Sequence, residues 1–167
     1  MRLTDSMLAF PLMVLAIAIS VALGRGVMGS VIAIAATSTP TFTRLARAQT
    51  LRINANQFMT AAIIMGGGFF WRLWHHVLPN MINPIIVQSA VALSFAVLTE
   101  SGLSFLGLGV QPPTPSWGLM IAEARNYMAL APHILFMPAA AIFLTVLGIN
   151  LLGDSLSNAF HERRSGA

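Results

Sequence analysis

Four histidines and five carboxylates are the side chains of this sequence that could ligate a metal or move a proton. His75 and His76 are adjacent, so on a helix they face different ways and make a poor metal pair. His133 reads as a structural residue at a membrane edge. Glu100 ends a long uncharged run, where a carboxylate either lines a water-filled pathway or meets water at the interface. Glu123 and Arg125 lie two apart and read as solvated; Asp154 closes another uncharged run and reads as facing water. His161 to Arg164 reads as a short solvated tail. No Ser/His/Asp set has support beyond composition, so no catalytic residue, metal or cofactor is expected. The chain has no Cys, hence no disulfide frame and no thiolate chemistry. It has no Lys either, so it cannot supply the phosphate-holding lysine of a Walker A loop.

The elements that carry these residues follow from composition. Only 8% of the 167 residues are charged, against about 25% in a soluble domain. Apolar residues reach 56% and mean hydropathy is +0.77. These values exclude a disordered chain and argue against a soluble globule, which could not cover its core with so few charges. The pI near 11.5 comes from nine arginines against five carboxylates, not from a dense basic stripe, so no nucleic-acid partner is expected. What remains is a protein whose partner is membrane lipid.

Four charge-free runs mark the spans: Ser6 to Gly24, Gly26 to Thr43, Leu73 to Thr99 and Asn126 to Gly153. About 20 residues at 1.5 Å each cross a hydrocarbon core, and backbone groups in lipid must be paired internally, so these runs are read as helices. Two other uncharged stretches are read as loops. Residues 101–122 hold four glycines and three prolines, and are read as a span end followed by an irregular loop that dips toward the membrane. Residues 53–71 are decided by arginine. With four spans, Arg2, Arg44, Arg47, Arg52, Arg72, Arg163 and Arg164 share one side, and Arg25 and Arg125 take the other. A fifth span at 53–71 would split them five to four, which the positive-inside rule disfavours. The expectation is an all-α polytopic transmembrane helix bundle with spans near 6–24, 27–45, 80–102 and 133–153. A cytoplasmic loop covers about 52–79 and an external loop about 103–131, with both termini cytoplasmic. The first span does not read as a cleaved signal peptide, because no small-residue cleavage site leads into a soluble domain.

In the cytoplasmic loop, Gln57 to Met65 suits a short helix with Asn54 or Asn56 at its N-cap, ended by Gly66 to Gly68. Phe69 to Val77 is aromatic and amphipathic, and Pro79 suits the first turn of the next span. Such a unit is a knob for a partner, with Ala61 and Ala62 permitting close approach. The competing reading is a lipid-surface helix anchored by Trp71 and Trp74. Ala18 with Ala22, and Ala90 with Ser94, are small pairs at four-residue spacing that let helices pack closely.

The order LAFP (8–11), RLARAQTL (44–51), TAAIIMG (60–66), HHVLPN (75–80), PIIVQ (84–88), LSFLGLGVQPPTPSWG (103–118) and NLLGD (150–154) resembles the inner-membrane permease subunits of binding-protein-dependent ABC importers, in the dipeptide/oligopeptide/nickel group. The family's loop signature is Glu-Ala-Ala, three residues, Gly, nine residues, Ile, one residue, Leu-Pro. Ala61, Ala62, Gly66, Leu78 and Pro79 match it, whereas Thr60 stands where the signature has Glu and His76 where it has Ile. Ile63 stands where the group often has Arg.

The resemblance implies a MetI-like permease fold in a bacterial inner membrane, with Thr60, Ala61, Ala62, Gly66, His76, Leu78 and Pro79 in the ATPase-coupling loop. The external motif would comprise Gly107, Gly109, Gln111, Pro112, Pro113, Pro115, Trp117 and Gly118, and Glu100 is a pathway candidate. Implied partners are a second permease subunit, two ABC ATPase subunits and an extracytoplasmic solute-binding protein, so the chain itself is not expected to be an enzyme. Peptides, nickel, glutathione and related solutes share this pattern. Family members have about six spans, so two are expected ahead of the region matched here, and whether Met1 is the true start stays open. The alternatives are a membrane scaffold or small channel with no ATPase, or a permease remnant without function.

Overall fold

A computed structural model describes the backbone of residues 2–165, and all of their side chains except Leu3 and 160–165. Among the described residues every regular element is helical. The N-terminal uncharged run is not one helix: α1 (Arg2–Leu8) and α2 (Leu12–Leu23) are separated by a break at 9–11. Pro11 has no N–H for the preceding turn and restricts Phe10, which explains the break. Its 12 residues make α2 about 18 Å long. The next helix, α3 (Val27–Asn54), absorbs Pro40 in its interior. Around that proline Thr37, Thr39 and Thr43 hydroxyls donate to carbonyls one turn back, at 2.8–3.0 Å.

Two short helices follow, α4 (Gln57–Ile64) and α5 (Phe69–Arg72), then a π turn over Leu73–Val77 and the long α6 (Leu78–Phe105). From Phe69 to Phe105 the chain is continuously helical, so the amphipathic segment 69–77 runs without a break into the helix of the span expected near 80–102. Pro79 is the reason for the π turn. In α geometry it would leave the His75 carbonyl without a donor and crowd it. The chain instead widens, and the Leu78 N–H reaches back five residues to the Leu73 carbonyl.

The expected irregular outer loop contains a further helix, α7 (Trp117–Ala124), with a 3-10 turn at Arg125–Tyr127. Its N-cap is Ser116, whose hydroxyl accepts from Leu119 N at 3.2 Å. The last helix, α8 (His133–Ser165), runs well past Asp154, which is exposed on its surface rather than at its end. The backbone of His161 to Arg164 is helical, and their side chains lie outside the described residues.

Packing is built from small residues. Ala16, Ser20, Ser30 and Ala33 are buried where α2 meets α3. Between α6 and α8, Ala90 lies under Gly153, and Asn150 Nδ2 donates to Ser94 Oγ at 2.8 Å. Phe95, Leu98, Phe136, Phe143, Leu144, Leu151 and Leu152 point outward and are exposed. Small residues inside and large apolar residues outside is the arrangement expected when the surrounding solvent is itself apolar. Phe69–Phe105 and His133–Ala159 are each long and apolar enough to cross a membrane.

Candidate functional site

Two connectors carry the residues singled out by sequence, and they lie at opposite ends of α6. The first joins α3 to α6. Asn56 does occupy the N-cap position of α4, but its side chain does not cap that helix. Its Nδ2 turns back and donates to the carbonyls of Arg52 and Ile53, at 3.0 and 3.3 Å, sealing the end of α3. The end of α4 is closed by a Schellman motif: Gly67 N donates to Ala62 O and Gly66 N to Ile63 O, both at 3.0 Å. Gly66 sits at φ 79° in the left-handed region, where a residue with a Cβ is strained. Gly67 is constrained differently, since a Cβ there would press on the Trp71 ring.

The two alanines of the signature face opposite ways. Ala62 and Met59 are each only 1% exposed. Met59 joins Ile53, Val77 and Met81 in an apolar cluster. Thr60 and Ala61 are exposed, as are Ile63, Ile64 and Met65, the last two at 81% and 78%. Phe69, Phe70 and Trp74 extend this uncovered apolar surface along the chain. His76 is half-buried, with ring centroids 5.9 Å from Phe58 and 5.0 Å from Trp71. It bridges α4 to the helix that continues into α6. His75 stacks on Trp71 at 5.2 Å and is exposed. Leu78 and Pro79 are half-buried at the start of α6. The same end carries the exposed Arg47 and Arg52, and Arg44 pairs with Asp5 at 2.6 Å.

The second connector joins α6 to α7, and it is tied both to itself and to the α2–α3 turn. A second Schellman motif ends α6: Leu108 N donates to Leu103 O at 2.8 Å and Gly107 N to Ser104 O at 3.0 Å, with Gly107 at φ 73°. Ser104 is fully buried. Its hydroxyl donates to Glu100 Oε1 at 2.6 Å and accepts from Val110 N at 3.0 Å. Gln111 Nε2 donates to the carbonyls of Gly107 and Gly109. Gly109 and Gly118 are buried where a Cβ would collide, with Ser104 and with the Ser101 carbonyl respectively. Pro112, Pro113, Pro115 and Trp117 are exposed. The Leu108 carbonyl accepts from Ser20 Oγ at 3.2 Å and from Gly26 N at 3.4 Å, so the α2–α3 turn sits at this same end.

Sequence reasoning missed Ser104, the hub of this connector, because a serine inside an apolar motif carries no signal until its partners are known. It also missed the joint role of Ser94, Asn150 and Gly153. Asn150 and Gly153 belong to NLLGD and Ser94 to a small-residue pair, but only the tertiary contact joins them. Among the described residues no three His, Asp or Glu groups come together to hold a metal ion.

The comparisons agree with this architecture. The glutathione transport system permease protein GsiD of Salmonella paratyphi A is 43% identical over 166 residues, covering 99% of this chain and 55% of that protein. The proteins of the same description from Escherichia coli O1:K1 and Shigella flexneri serotype 5b match at the same identity and coverage. The chain thus spans about half the length of the curated relatives it matches. The family described as "Binding-protein-dependent transport system inner membrane component" matches residues 1–166, nearly the whole chain. With that match and the helical bundle beneath it, this chain belongs to the binding-protein-dependent inner-membrane permease family.

Proposed function

We propose that this chain is a permease subunit of an ABC importer, and that the α3–α6 connector is the element through which a separate ATPase drives it. The observation that carries this reading is the α4 knob. Its inner face is buried at Met59 and Ala62, Met59 packing with Ile53, Val77 and Met81, while Thr60, Ala61, Ile63, Ile64 and Met65 stand uncovered. A rigid helix with an apolar outer face is suited to seating in a groove on a partner. Force on it would pass directly to α6 through Val77 and Met81. Such a device supports alternating access by rigid rocking of the spans.

The expected membrane arrangement is four spans with both termini and the α4 knob cytoplasmic. It is supported by the seven-to-two arginine split and by the α2–α3 turn sharing an end with the 106–116 loop. A second permease chain, two ATPase subunits and a solute-binding protein complete the proposed machine. The cargo proposed is peptide-like, glutathione or a related small peptide, because the three relatives named above are described as glutathione transport system permease proteins. A scaffold or channel without an ATPase is the competing function.

Cysteine cross-linking decides between them. A cysteine at position 61 should cross-link to cysteines in the groove of the cognate ATPase in a transporting complex. Failure of every such pair in an active complex would reassign the knob to the lipid surface. Purified alone, the chain should hydrolyse no ATP.

A further inference from the structure

The outer connector holds a recess that the coupling function leaves unexplained. It has a volume of about 420 Å³ and is lined by Glu100, Val110, Pro115, Ser116, Trp117 and Met120. Glu100 supplies its only charge. One carboxylate oxygen is engaged by the Ser104 hydroxyl, and among the described residues no Arg or His lies within ion-pair distance of it. The Ser116 hydroxyl caps α7. The other walls are apolar, and Trp117 is 37% exposed rather than packed away.

Glu100 is half-buried with no cationic side chain of the described residues beside it, so its charge is open to a cation delivered into the recess. A metal ion is a poor fit, because one carboxylate cannot supply the several hard or nitrogen donors that bound metals take. An alkylammonium fits better: its charge pairs with Glu100, its carbon rests on Val110, Pro115 and Met120, and an indole attracts cations. We propose that this recess is a binding site for a small organic ammonium group, with Glu100 as the anion and Trp117 as the aromatic wall. The inference rests on the recess alone and does not depend on the coupling role of α4.

The test uses the full chain in neutral maltoside micelles, labelled with 5-fluorotryptophan and followed by fluorine NMR. Trp117→Phe assigns the relevant resonance among the three tryptophans. Ethylammonium chloride is titrated against sodium chloride at matched ionic strength. The Trp117 signal should shift saturably with ethylammonium and not with sodium, while Trp71 and Trp74 stay still. Glu100→Gln removes the charge but keeps an acceptor for Ser104, so the connector should hold its shape while ethylammonium binding weakens at least about tenfold, the equivalent of about 1.4 kcal/mol. Ser104→Ala, which loosens the connector but keeps the charge, should retain saturable binding. No saturable shift in the parent chain, or an equal shift in Glu100→Gln, overturns the proposal.

Discussion

The connectors at the two ends of α6 begin alike and end differently. Each is a helix closed by a Schellman motif with glycine in the left-handed region, Gly66 at φ 79° and Gly107 at φ 73°. Beyond that turn they diverge. Around the 106–116 loop the polar groups are engaged inside the protein: Ser104 and Gln111 bond within the connector, the Leu108 carbonyl accepts from Ser20 and Gly26, and Gly109 and Gly118 allow close backbone approach. The α4 knob keeps one face locked and leaves Ile64, Met65, Phe69 and Phe70 uncovered. The same local device therefore serves an internally bonded cap at one end and an unfinished surface at the other. An uncovered apolar surface needs something outside the chain to cover it.

The sharpest way to break this comparison is to place valine at each turn. A β-branched residue at positive φ costs on the order of 1–3 kcal/mol. Gly66→Val should leave membrane abundance close to normal and abolish transport and ATPase co-purification, because only the knob is misplaced. Gly107→Val should lower abundance itself, measured by immunoblot of membrane fractions, because its turn anchors the α2–α3 end as well. Equal loss of abundance in both would show that the knob is as structural as the cap.

Glutamate at the paired alanines should have the next largest effect. Ala62→Glu buries a charge against Met59 and should prevent stable accumulation of the chain. Ala61→Glu places the charge on the exposed face, so the chain should accumulate but lose its ATPase partner in pull-down. Reversed phenotypes would mean that α4 is rotated relative to the arrangement described here.

A smaller effect is expected in the seam between α6 and α8. Gly153→Leu forces bulk against Ala90 and should cost about 1–3 kcal/mol by overpacking, seen as a lower melting temperature in detergent. Asn150→Leu removes the bond to Ser94 and should cost about 1 kcal/mol. The smallest effect belongs to Arg44 and Asp5, each more than half exposed: Arg44→Ala should change stability by roughly 0.2–1 kcal/mol or less. A larger loss there would indicate that α1 is held mainly by that pair.

Much of this protein was legible in the residues. Charge scarcity and uncharged runs called for a helical membrane bundle, because lipid leaves a spanning backbone few other ways to pair itself. The glycines at 66–68 announced the end of α4, since glycine is the residue that accepts left-handed geometry. The motif order led to the permease family, and of the two N-cap candidates, Asn54 and Asn56, it is Asn56 that takes the position, without capping. Tertiary structure decided what local pattern does not encode. Asn56 turns its side chain to α3, where its amide donates to the Arg52 and Ile53 carbonyls instead of capping α4. Ala61 and Ala62 look identical in sequence, yet the helix phase set by Met59 buries one and exposes the other. Pro11 breaks the first run, whereas Pro40, Pro84 and Pro138 sit within helices; at Pro40, back-bonding threonines line the surrounding turns. The α7 helix appears within a stretch rich in glycine and proline because Ser116 caps it and Gly118 allows it to lie on Ser101. These outcomes depend on which atoms meet across the fold, and residues far apart in the chain supply them.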